Sequence, residues 1–173
     1  MRLLLHACCG PCATYPVKHL QESGIDFATY YFNPNIHPLK EHLERGVSLK
    51  KLAEQKEFDL IYSTEYAQAD WDNIIGDLPN RCTLCYQMRL EETARQAKLR
   101  GFDAFSTTLL ISPYQEHERI KKLAREIAED FDIEFYYMDF RPFFREGQGL
   151  ARKAALYMQK YCGCICSLEG NGR

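Results

Sequence analysis

The stretch Arg2-Leu3-Leu4-Leu5-His6-Ala7-Cys8-Cys9-Gly10-Pro11-Cys12-Ala13-Thr14-Tyr15-Pro16-Val17-Lys18-His19-Leu20-Gln21-Glu22-Ser23-Gly24 decides the fold. Residues 2–7 form an apolar run of strand length with no polar alternation, the pattern of a strand covered on both faces. Residues 13–23 follow as a helix, and Gly24 is a natural helix stop. A buried strand feeding a helix through a short polar turn is the opening of a βα unit.

Outward from this unit the alternation continues. Strands are predicted over 26–32, 58–62, 103–107 and 133–138. Helices are predicted over 38–56, broken near Gly46, over 66–76 around Trp71, over 84–99 with a stop at Gly101, over 115–130 and over 149–160. Strands alternating with helices at this spacing imply a mostly parallel five-stranded sheet with helices on both faces. The expectation is a Rossmann-like α/β fold forming one domain over residues 1–173, with no repeat, linker or low-complexity segment. In open parallel sheets the working site lies beyond the carboxyl ends of the strands, which is where Cys8, Cys9 and Cys12 fall.

The 173 residues suffice for one core. The apolar runs are far shorter than the ~20 residues that cross a bilayer. Met1-Arg2 followed by a strand-length run lacks the features of a signal peptide. These readings place the protein in the cytoplasm, away from membranes. The net charge of −2 excludes a wholesale basic protein, though not a local basic patch.

Eight cysteines stand out. They fall into three bunches: Cys8, Cys9 and Cys12; Cys82 and Cys85; Cys162, Cys164 and Cys166. Bunching in a cytoplasmic chain favours metal binding or redox chemistry over structural disulfides. Cys8 to Cys12 open a helix, whose N-terminus favours the thiolate, both nucleophile and metal ligand. Cys82-Thr83-Leu84-Cys85 has the C-x-x-C spacing at the head of another helix. Four thiolates suit a 4Fe–4S cluster, and Cys8, Cys9, Cys82 and Cys85 form the expected ligand set. Adjacent cysteines diverge and reach two irons of a cubane more readily than one metal ion. A zinc site of four cysteines and metal-free dithiol chemistry are the competing readings. Cys9-Gly10-Pro11-Cys12 matches the thioredoxin redox motif letter for letter, but it follows the first strand with no aromatic residue before it. Cys162 and Cys164 can close a strained, reducible disulfide or hold a second metal together with Cys12. For Cys162 to reach the site, the chain beyond the last strand must first cross back. No radical-SAM C-x-x-x-C-x-x-C, G-x-G-x-x-G or P-loop is present.

His-Ala-Cys-Cys-Gly-Pro-Cys-Ala at 6–13, Arg-Cys-x-x-Cys-Tyr-x-x-Arg at 81–89 and Tyr-Cys-Gly-Cys-Ile-Cys-Ser at 161–167 occur in order. Together they resemble the cobalamin-independent, QueH-type epoxyqueuosine reductases, from His6 to Ser167. The resemblance implies reduction of epoxyqueuosine to queuosine at the wobble position of tRNA, a deoxygenation that needs two electrons and two protons. It also implies Cys8, Cys9, Cys82 and Cys85 as cluster ligands, and Cys162 and Cys164 as a redox-active pair or part of a second, iron-holding site that Cys12 could join. The anticodon loop of tRNA and a separate electron donor are the implied partners. The fold resembles ATP pyrophosphatases (HUP-like), with Cys8-Cys9-Gly10-Pro11-Cys12-Ala13 where those carry an S-G-G-x-D-S phosphate loop. That replacement argues against ATP use.

Deoxygenation needs a proton donor. Tyr86 is the chosen candidate, with His6, His37 and Tyr114 near other strand ends; His6, inside the first strand, reads as a core residue. Arg141-Pro142-Phe143-Phe144-Arg145 mixes charge with aromatic rings, which suits phosphates and unstacked bases. Arg141 and Arg145 are therefore expected substrate contacts. Arg89 is expected to orient substrate or phosphate from the helix side that carries Cys85. Arg119, Lys121, Lys122 and Arg125 read as a solvated helix face.

Overall fold

The computed structural model describes residues 1–66, 71, 73 and 80–168. Five strands, β1 (Arg2–His6), β2 (Asp26–Tyr31), β3 (Asp59–Tyr62), β4 (Ala104–Thr107) and β5 (Glu134–Phe135), form one sheet in the order β3-β2-β1-β4-β5. Every neighbouring pair is parallel, so all carboxyl ends share one edge. The order reverses beside β1, and the crevice between β1 and β4 at that edge is the topological switch point.

The helices are α1 (Gly10–Glu22), α2 (Leu39–Lys56), α3 (Arg81–Leu99), α4 (His117–Asp130) and α5 (Phe144–Lys153), followed by a single turn, α6 (Ile165–Leu168). Alternation along β1 decides their distribution. Leu4 packs with Leu90, Ala94, Ile120 and Ala124 of α3 and α4. Leu3 and Leu5 pack with Val17, Leu20, Leu49 and Ala151 of α1, α2 and α5. The sheet is therefore covered on both faces, as its unbroken apolar strands require.

Several boundaries differ from the sequence expectation. α1 starts at Gly10 instead of 13, because Cys9 caps it and Pro11 suits its first turn. Its end at Ser23 is as expected, with Gly24 in the left-handed region at φ 65°. α2 runs unbroken through Gly46, where a side chain would fall on the Tyr62 ring. β5 is two residues long instead of six: its ladder with β4 covers Ala104 and Phe105 and closes with the Tyr136 amide on the Phe105 carbonyl, although β4 itself continues to Thr107. The last helix occupies 144–153 instead of 149–160. Ala155 turns left-handed at φ 50°, and tertiary contacts of Tyr157 and Gln159 override the helical preference of 154–160. The helix expected over 66–76 lies mostly outside the described residues.

Candidate metal centre

The first three cysteines sit at the switch point. β1 delivers Ala7 to the sheet edge, where Ala7 N–H donates to Tyr30 O. The chain then turns over the mouth of β4, and Cys8 N–H donates to Thr108 Oγ1 at 3.2 Å. Cys9 is the N-cap of α1, its Sγ accepting from the Cys12 amide at 3.4 Å. Helical geometry then folds Cys12 back onto the cap. The three Sγ atoms lie within 4.8 Å of one another, with Cys8 and Cys9 Sγ 3.6 Å apart.

Shared hydrogen bonds divide the charge unequally. Cys12 and Cys9 donate toward Cys8, with Thr108 assisting, and hold its thiol well below the usual range. The same bond to Cys8 pushes Cys12 well above it, and burial pushes Cys9 up. Thiols that share hydrogen bonds in this way release protons readily to a metal that binds them. The donor set is all sulfur, buried and closely spaced, which fits a thiophilic metal or an iron–sulfur cluster.

A second sulfur group lies against Trp71: Cys85, Cys164 and Cys166 are buried together with that ring. Burial pushes the Cys85 and Cys164 thiols up to about 11 each. Arg89 donates from Nη2 to Cys85 Sγ at 3.0 Å. Cys82 is half-buried at the margin of the apolar cluster that contains Cys8, Cys9 and Cys12, and Cys162 is exposed. The ligand set expected from the sequence, Cys8, Cys9, Cys82 and Cys85, draws on both packing groups, and the expected second centre of Cys12, Cys162 and Cys164 draws on both as well.

The chain does cross back after α5. Lys51 Nζ and Gln55 Nε2 hold the carbonyls of Ala155 and Ala154 at the far end of α2. The Tyr157 hydroxyl then donates to Glu41 Oε2 at 2.6 Å. Buried Arg45 pairs with Glu41 at 2.7 Å and donates to the carbonyls of Tyr161 and Cys162 at 2.8 and 3.1 Å. The tail is thus led along α2 to the carboxyl edge, where His37 N–H donates to Gly163 O at 2.9 Å. Gly163, at φ 111°, leaves room for Ile36 and Arg45.

Other expected site residues are placed as follows. Tyr86 is buried; its hydroxyl donates to Gln115 Oε1 at 2.7 Å and accepts from Glu116 N–H, and burial pushes it up to about 12. Arg89 is 3% exposed, its guanidinium spent on the Cys85 carbonyl and sulfur. Arg141 is exposed but clasped by Asp139 through two bonds of 2.9 and 2.6 Å. Arg145 is exposed with no ion-pair partner among the described residues. Phe143 stacks on Tyr15 at 4.2 Å, and Tyr114 meets Phe144 edge-on. His6 is a core residue, bonded to Thr107 Oγ1 and Phe32 O. Sequence reasoning missed Gln159, which donates from Nε2 to Cys9 Sγ at 2.9 Å and Cys12 Sγ at 3.3 Å. It also missed Arg45, Glu41 and Thr108. Glu41, Arg45 and Gln159 stood at polar positions that a helical pattern assigned to solvent, and Thr108 lay in the connection after the fourth strand.

Fold and site together define a doubly wound α/β protein with a thiol cluster at the switch point. The sequence model of the family described as epoxyqueuosine reductase QueH matches residues 3–170, and the chain belongs to that family. It is 37% identical to the epoxyqueuosine reductase QueH of Dehalococcoides mccartyi over 96% of this chain and 92% of that protein. It is 37% identical to that of Histophilus somni over 99% of this chain and 77% of that one. Among solved structures, a predicted subunit of tRNA methyltransferase from Methanocaldococcus jannaschii superposes with TM-score 0.57 at 13% identity, covering 88% of this chain and 76% of that one. That likeness speaks for the fold alone. No helix among the described residues is long and apolar enough to cross a membrane.

Proposed function

We propose that the protein reduces the epoxide of epoxyqueuosine in tRNA to the alkene of queuosine. Two electrons and two protons are consumed, both C–O bonds of the epoxide break, and the oxygen leaves as water. The electrons come from a separate donor protein or small reductant. Membership of the reductase family supports the reaction. The observation that carries the chemistry is the buried group of three cysteine sulfurs within 4.8 Å of one another beyond β1, accompanied by a second buried group in which Cys85 meets Cys164 and Cys166.

In this reading the thiolates hold a 4Fe–4S cluster and a second redox centre, either one more iron or a disulfide. A cluster would supply electrons one at a time. Cys8, Cys9, Cys82 and Cys85 serve the cluster; Cys162 and Cys164 serve the second centre. Cys12, with its sulfur beside those of Cys8 and Cys9, serves one of the two centres. Burial of the sulfurs keeps water from the reacting centre. Tyr86 holds the loop at Gln115 and Glu116, next to the exposed ring of Tyr114, and serves as the proton donor from there. Phe143, in the segment that carries Phe144 and Arg145, stacks on Tyr15, which lies one helical turn beyond Cys12. This segment receives the anticodon loop, with guanidinium on phosphate and rings on unstacked bases.

The test is anaerobic purification, iron and sulfide analysis, and an assay on tRNA carrying epoxyqueuosine. A brown protein that bleaches with dithionite and converts this tRNA is the expected result. A colourless protein that takes only zinc, or no metal after reconstitution, would falsify the cluster-based reaction.

A further inference from the structure

Every sulfur of the first group receives a hydrogen bond from outside its own side chain. Thr108 donates to Cys8, 3.6 Å away. The Cys12 amide donates to Cys9. Among the described residues Gln159 alone reaches two sulfurs of this group, and it is the one such donor carried by the tail. The tail is pinned on both sides of it, by Tyr157 on Glu41 and by the Tyr161 carbonyl on Arg45. Gln159 is therefore held at the thiols by anchors two residues away in each direction.

The orientation of this amide is informative. Turned over, its carbonyl could accept from the S–H of a neutral thiol. With the NH2 group facing sulfur, Gln159 Oε1 is left buried with no hydrogen-bond partner among the described residues. An unpaired buried carbonyl costs free energy. The arrangement is compensated when the sulfurs are electron-rich, as thiolates or metal-bound sulfurs are, because charge-assisted bonds are about twice as strong as neutral ones. Hydrogen bonds to ligand sulfurs stabilise the more negative, reduced state of an iron–sulfur centre and raise its reduction potential.

We propose that Gln159 is a positioning residue that raises the reduction potential of the centre that Cys9 serves, through an N–H···S bond to its sulfur and a second to the neighbouring sulfur of Cys12. It also makes that potential depend on the tail being docked. The inference rests on the iron–sulfur reading above.

The experiment is an anaerobic redox titration of the iron-loaded full chain, followed by visible absorbance and by electron paramagnetic resonance of the reduced state. Gln159→Leu keeps the shape and removes the donor; Gln159→Glu keeps the shape and adds negative charge. Both are expected to bind iron and sulfide at the parent stoichiometry. Both should titrate at a more negative potential with altered g-values, Gln159→Glu by the larger shift. A loaded Gln159→Leu protein with the parent's potential and spectrum overturns the inference and leaves the reductase reading standing. Should the variants not load, the unaltered protein decides. With side-chain 15N-glutamine, the reduced centre is expected to show a weak 15N coupling, and its absence overturns the inference. Parent protein that holds no iron and sulfide is a different result, the failure of the iron–sulfur reading itself.

Discussion

His42 illustrates how a single side chain commits the protein to a pH range. It is buried in the first turn of α2, donating from Nδ1 to the Asn33 carbonyl at 3.0 Å. Burial, opposed in part by that bond, and the charge of Arg45 hold its pKa below the usual 6.5. The unfolded chain therefore binds a proton near pH 6.5 that the folded chain refuses. This contribution to stability is complete above pH 6.5 and is lost as pH falls through the histidine range. His6 and His117 are lowered as well, each first by burial. Urea midpoints of metal-free protein should fall between pH 7.5 and pH 5.5. His42→Asn, which preserves a donor near the Nδ1 position, should make that fall shallower; an unchanged slope would remove His42 from the account.

At the same scale, the two exposed arginines of the aromatic segment differ. Asp139 neutralises Arg141, and that pairing holds the aspartate down at about 2. Arg145 is uncommitted among the described residues. Arg145→Ala should weaken tRNA binding and lower the slope of log affinity against log salt by about 1, the signature of one lost phosphate contact. Arg141→Ala should change both less. Equal effects in a filter-binding series would show that Asp139 releases Arg141 on contact.

Among elements, the crossing of α1 over α2 sets the position of the thiols. At Gly10 a Cβ would lie 2.5 Å from Ser48 Oγ and 2.8 Å from the Ser48 carbonyl oxygen. The second contact is with backbone and cannot be relieved by a rotamer change. Gly10→Ala should cost about 1–3 kcal/mol, as overpacking does. It should also lower iron content, because Gly10 sits between Cys9 and Cys12. Thermal unfolding with metal analysis checks both, and an iron content that stays at the parent level would detach the helix crossing from the metal site.

Over the whole molecule, the cysteine groups join parts of the chain that share no local structure, and the Glu41–Arg45 pair makes the join. Arg45→Ala leaves Glu41 buried without its cation, a change that costs about 3–5 kcal/mol for a buried pair. It also releases the Tyr161 and Cys162 carbonyls. The expected outcome is reduced metal loading together with faster tryptic cleavage at exposed Lys160. Metal that binds only the folded state at about 1,000 times its dissociation constant adds about 4 kcal/mol. At ~2–4 °C per kcal/mol for a chain of this size, loading should raise the midpoint by roughly 10 °C. A chelated sample with the same midpoint and the same digestion pattern would mean that metal does not bridge the segments.

The sequence by itself determined the parallel α/β sheet, because period and burial are local properties. Leu3, Leu4 and Leu5 in a strand are all buried only where both faces of the sheet are covered, and the run is too short for a core helix. It also determined that Cys8, Cys9 and Cys12 lie at the sheet edge, since the connection after β1 has nowhere else to run. Only the tertiary structure decided which cysteines are buried together. Cys164 and Cys166 join Cys85 against Trp71 because Glu41 and Arg45 steer the tail, and contacts between residues more than a hundred positions apart leave no periodicity to read. The same holds for Gln159. Its neighbours carry a helical composition, yet Ala155 ends the helix and Glu41 claims Tyr157, so the side chain that a helix would have given to solvent reaches Cys9 and Cys12 instead.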